Sequence, residues 1–86
     1  MYEIIPKLFL GPMPGCGKIE LFQQSGIKAI LSVNHIKISY EFEKCFTCLF
    51  IDLKDEPNED IISHLEMGTD FIHRAISNDE GVYVHW

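Results

Sequence analysis

Apolar positions along the chain change period several times, and each change marks an element. Ile4-Ile5 and Lys7–Leu10 carry enough β-formers for two short strands kinked at Pro6, which cannot donate to a ladder. Gly11-Pro12-Met13-Pro14-Gly15 is a turn-rich loop. Ile19 and Phe22, three apart and flanked by Leu21, predict a short helix over Lys18–Ser25 with Gly26 as its C-terminal stop. Ala29–Val33 reads as a strand, and His35–Lys44, where the pattern fades, as a loop with at most a helical turn. Phe46–Leu53 is apolar enough for a strand buried on both faces. Ile61, Ile62, Leu65, Thr69, Ile72, Ala75 and Ile76 follow a period close to 3.6 and predict a long helix from a cap near Asn58 to Ser77. Asn78–Gly81 turns into a last strand, Val82–Val84, with His85 at its end.

Strands alternating with helices in this way favour an α/β fold, a mainly parallel central sheet flanked by helices. At 86 residues and 47% hydrophobic the chain makes one small domain, with no repeat or linker. No apolar run approaches the length needed to span a bilayer. The start Met1-Tyr2-Glu3 lacks the basic and apolar regions of a secretory signal, and three cysteines do not suggest a disulfide scaffold. The expectation is a cytoplasmic or nuclear protein. A formal net charge of −6 argues against nucleic acid as a partner.

Several motifs resemble, in order and spacing, those of the dual-specificity protein phosphatases. "YEIIPKLFLG" from Tyr2 to Gly11 is similar to that family's opening strands, and "GIKAILSVN" from Gly26 to Asn34 to the strand after its first helix. Asp70-Phe71-Ile72 matches the Asp-Phe-Ile of its helix before the phosphate loop, and Val82-Tyr83-Val84-His85 the strand that delivers that loop. The resemblance implies an incomplete phosphatase-like catalytic domain over residues 1–86, ending just before the loop. The family's substrate is a phosphoprotein or another phosphate monoester.

Hydrolysis through a cysteine needs a thiolate, backbone N–H groups around the phosphate, an arginine fork, and an acid for the leaving oxygen. In the family the nucleophile follows the histidine at once and an arginine comes six residues later. Here Trp86 follows His85, and Cys16, Cys45 and Cys48 are not followed by arginine at that spacing. Arg74, the only arginine, reads as a surface residue of the long helix. By resemblance Asp55 is the general acid, against the plainer reading of a solvated loop aspartate. By the same resemblance His85 supports the phosphate loop, against the plainer reading of a frayed chain end.

Two other motifs invite chemistry. Gly15-Cys16-Gly17-Lys18 lacks the leading glycine and the hydroxyl residue of a nucleotide phosphate loop. Cys45-Phe46-Thr47-Cys48 has redox or zinc spacing but leads into a strand, with no second pair to complete a site, so buried, inert thiols are expected. No metal or cofactor is implied. Two functions stay open: a truncated phosphatase-family chain, inactive as written, or a non-catalytic pseudophosphatase-type interaction module.

Overall fold

The computed structural model describes residues 2–34, 36–52 and 61–85, with the side chains of residues 2, 16 and 61–63 left aside. Five strands form one sheet in the order β1-β2-β5-β3-β4. They are β1 (Tyr2–Ile5), β2 (Leu8–Leu10), β3 (Ile27–Val33), β4 (Thr47–Ile51) and β5 (Gly81–His85). Three of the four pairings are parallel, and only β1 with β2 is antiparallel. The mainly parallel sheet expected from the pattern is therefore present.

Pro6 makes more than a kink. With Lys7, at φ 75°, it turns the chain back on itself, so the first two strands pair as a hairpin. Val82–Val84 extends by one residue at each end, and as β5 it lies between β2 and β3. Its five residues are all buried, as a parallel strand with partners on both sides must be.

Each face of the sheet carries its own helices. Helix α1 (Ile19–Gln24) follows a 3₁₀ turn at Cys16–Lys18, so the predicted helix is present in two pieces. It ends at Gly26, whose φ of 81° suits glycine, while Ser25 and Gly26 donate to the carbonyls of Leu21 and Gln23. Gly81 is fixed by a different constraint. Its N–H donates to the Gly26 carbonyl at 2.9 Å, and a Cβ there would stand 2.7 Å from the same oxygen.

Helix α2 (Tyr40–Cys45) replaces the second half of the loop read over His35–Lys44. Six residues are too few to show a period, and one large side chain, fully buried Phe42, anchors it. Phe22, Ile27, Ile30, Ile38, Phe42, Phe46 and Tyr83 form the core on this face. Phe46 lies just before β4 and packs in this cluster; the strand itself is shorter than Phe46–Leu53, and Leu53 lies outside the described residues.

The opposite face is covered by α3 (Ile61–Ser77), whose proposed cap Asn58 lies outside the described residues. Ala75 is buried there with Ala29, Leu31, Ile51, Val82 and Val84, and Phe71, Ile72 and Ile76 pack against them. Two positions of the expected stripe do not fit. Leu65 is 64% exposed and Thr69 is exposed, while Gly68 is the buried position of that stretch. Periodicity fixes which residues share a helix face, but not how far along the helix the sheet reaches beneath it.

Candidate functional site

Parallel strands bring their C-terminal ends to one edge, where α/β proteins carry their ligands. Here that edge is formed by Val33 of β3, Ile51 of β4 and His85 of β5, and Asn34 is tied to it by donating its backbone N–H to the Ile51 carbonyl at 3.1 Å. Alternation along β5 sends Val82 and Val84 to the α3 face, and Tyr83 and His85 to the α1/α2 face.

His85 is not a frayed end. It is fully buried, pairs in register with Ser32 of β3, and its Nε2 lies 2.7 Å from the Ser32 Oγ. Its Nδ1 is buried and has no hydrogen-bond partner among the described residues. Removal from water disfavours the imidazolium and holds the His85 pKa below its ordinary value. Ser32 is itself 1% exposed, so the pair is a polar inclusion in an apolar sheet.

Tyr83 supports this pair from behind. Its ring lies 4.5 Å from Phe22 on one side and 6.3 Å from His85 on the other, centroid to centroid. Its hydroxyl donates to the Pro12 carbonyl and so ties the loop after β2 to the end of the sheet. Burial raises its pKa, which keeps the hydroxyl a donor.

The other candidates lie apart from this edge or outside the described residues. Asp55 lies in the segment that is not described. Arg74 is an exposed residue of α3 and pairs with Asp70 one turn earlier at 2.9 Å. Cys45 is exposed and Cys48 half-buried, both are free thiols, and desolvation, with the Glu43 charge second, pushes Cys48 up to about 11. That shift makes Cys48 a poor nucleophile near neutral pH. Gly15–Lys18 forms the end of a loop and the 3₁₀ turn before α1. Among the described residues, no group of three or more His, Cys, Asp and Glu side chains is placed to hold a metal, and no helix is long and apolar enough to cross a membrane.

Ser32 and Tyr83 escaped the sequence reading as site residues. Ser32 had one usable signal, a lone hydroxyl inside the apolar run Ala29–Val33. Tyr83 had none beyond its strand propensity.

No protein-family model matches the chain. Curated proteins do. A serine/threonine/tyrosine-interacting protein of Mus musculus is 33% identical over 91 aligned positions, covering 99% of this chain and 41% of that protein. Dual specificity protein phosphatase MPK-4 of Drosophila melanogaster is 33% identical over 85 positions, covering 96% of this chain and 22% of that protein. The crystal structure of the human tyrosine phosphatase-like serine/threonine/tyrosine-interacting protein superposes with a TM-score of 0.84 at 32% identity, over 99% of this chain and 60% of that one. The chain thus spans less than half the length of these curated relatives.

Proposed function

The chain is homologous to dual-specificity phosphatases and spans part of their domain; on that footing we propose that it is the sheet-bearing part of a domain handling phosphoproteins or other phosphate monoesters. These 86 residues alone do not hydrolyse such esters. The observation that carries the reading is β5, a fully buried central strand that brings His85 to the C-terminal edge of the sheet. A strand held on both sides is a rigid mount for a loop that must wrap a phosphate with backbone N–H groups.

In this reading Asp55 is the general acid and His85 holds the loop, each by resemblance. The bond-breaking parts are a thiolate, a nest of donors and an arginine. Within the 86 residues no cysteine is followed by arginine at the required spacing. An acid offers about 10²–10⁴-fold, and only once a nucleophile attacks.

A second reading has its own support: the mouse relative and the human structure are named as interacting proteins, the latter as phosphatase-like. In it the domain presents the same edge to a phosphoprotein without cleaving it.

Aryl phosphate hydrolysis tests both. The 86-residue chain is expected to be inactive and indifferent to Asp55→Asn. A version extended with a Cys-x5-Arg loop and its following helices is expected to turn over. In that version Asp55→Asn slows substrates with poor leaving groups by about 10²–10⁴-fold. Cysteine-dependent turnover by the 86-residue chain would refute the proposal, and an extended version indifferent to Asp55→Asn would remove the acid. Phosphopeptide binding by an extended version that never hydrolyses would select the second reading.

A further inference from the structure

The parallel strands have a second edge, at their N-terminal ends, opposite the one that carries His85. On the α1/α2 side of that edge lies a cavity of about 500 Å³ with a mainly polar wall. Gln23 of α1, Lys28 of β3, Lys44 of α2, Thr47 at the start of β4 and Glu80 just before β5 line it. Lys28 reaches that wall through an irregularity in the sheet. Ile27 and Ala29 pair with the consecutive residues Gly81 and Val82, so Lys28 is one residue extra on β3. Bulges of this kind are rare between parallel strands, and they re-aim side chains. A regular strand sends neighbouring side chains to opposite faces. Here Ile27 is buried in the α1/α2 core, and exposed Lys28 lines the cavity on the same side.

Charge sets this cavity apart. Asp and Glu outnumber Lys and Arg by 13 to 7 in the chain. Even so, neither Lys28 nor Lys44 has a carboxylate within ion-pair distance among the described residues. Lys44 lies only over the exposed Tyr40 ring, 5.2 Å from its centroid. Asp79, within electrostatic reach of Lys28, is taken by Lys7 at 2.7 Å. The carbonyl ends of α1 and α2 come to the same edge, but the chain's own donors meet them. Ser25 and Gly26 donate to the Leu21 and Gln23 carbonyls, and Phe46 to that of Phe42. The two ammonium groups are left for a ligand. Glu80 decides what kind of anion fits. Free phosphate would meet that carboxylate as well as the lysines, and has no backbone N–H to offer it. A peptide carries both, acidic side chains for the ammonium groups and an N–H for Glu80.

We propose that this cavity binds an acidic peptide segment of a partner protein, with Lys28 and Lys44 pairing its carboxylates and Glu80 accepting one of its backbone N–H groups. The cavity lies at the edge away from His85, so this contact is separate from any phosphate-ester chemistry.

The test is a ¹H–¹⁵N titration of the 86-residue chain with a capped tetraglutamate peptide, and separately with capped tetraglutamine and with inorganic phosphate. The expected result is a saturable shift of the Gln23, Lys28, Lys44 and Thr47 amide signals with tetraglutamate. Lys28→Gln and Lys44→Gln should each weaken that binding by about 2–5-fold, the range for an exposed charge pair. Lys37→Gln, whose ammonium already pairs with Glu43 at 3.6 Å, should leave it unchanged. Tetraglutamate without a saturable shift at these residues overturns the proposal, and this outcome needs no variant to fold. Binding that survives both Lys28→Gln and Lys44→Gln undiminished overturns it as well. So does tetraglutamine or phosphate that occupies the cavity as tightly as tetraglutamate.

Discussion

Replacing Phe22 by alanine should remove a large part of the stability of this domain, whereas replacing its neighbour Leu21 should remove little. Phe22 is 2% exposed, and its ring meets Tyr83 at 4.5 Å, Phe42 at 5.8 Å and Phe46 at 6.1 Å. Truncating a buried Phe costs about 3–5 kcal/mol. Three aromatic partners, each worth about 0.5–1.5 kcal/mol beyond area, place Phe22→Ala in the upper part of that range, about 4–5 kcal/mol. At about 0.05–0.15 kcal/mol per residue, a chain of this length holds about 4–13 kcal/mol in total. Leu21 sits one position away in α1 but is 42% exposed, so Leu21→Ala should cost about 1 kcal/mol or less. Alanine favours helix in both variants, so neither loss can come from helix propensity. Urea unfolding followed by far-UV circular dichroism measures the difference. A Phe22→Ala loss below about 2 kcal/mol, or one no larger than that of Leu21→Ala, would refute the aromatic cluster as the centre of this face.

Two further outcomes follow from buried titratable groups. Burial raises the Cys48 thiol from 9.0 to about 11. Iodoacetamide at pH 8 should therefore label it about 100-fold more slowly in the folded chain than in urea, with peptide mapping as the readout and equal rates as the refutation. His85 has a folded pKa below its ordinary 6.5, so the unfolded chain binds the extra proton first. Its contribution is complete above about pH 6.5 and is lost as pH falls toward the folded pKa. Urea midpoints between pH 7 and 5 should fall more steeply for the wild type than for His85→Gln, and equal slopes would contradict the neutral, buried ring.

The elements that were legible in the sequence are those that repeat a period or form an apolar run long enough to be seen. Helix α3 does the first, and strands β3, β4 and β5 the second. Helix α2 did not, because six residues with one anchoring ring make no period; it exists because Phe42 fills the space between Phe22 and Phe46. Leu65 shows the converse failure. It has the spacing of a core residue, yet the packed part of α3 runs through Gly68, Phe71, Ile72, Ala75 and Ile76. The hairpin at Pro6 was missed for a third reason: proline predicts an interrupted ladder, and only the left-handed Lys7 beside it reverses the chain.

The site was half legible for a related cause. His85 could be found because it ends a short run of β-formers, but an apolar run does not say whether its strand is central or at an edge. That choice decides everything about the residue. At an edge the imidazole would meet water and titrate near its ordinary value; between β2 and β3 it loses that water and needs a protein partner. The partner lies 53 residues away, and only the register of β3 against β5 sets Ser32 opposite His85. A one-residue slip of β3 would turn Ser32 to the α3 face, among Ile51, Ala75 and Val84, and would leave both polar groups unmet. The Ser32–His85 pair therefore acts as a register lock for the two central strands as well as a feature of the site. The apolar residues on either side favour burial in more than one register, whereas this hydrogen bond can form in only one.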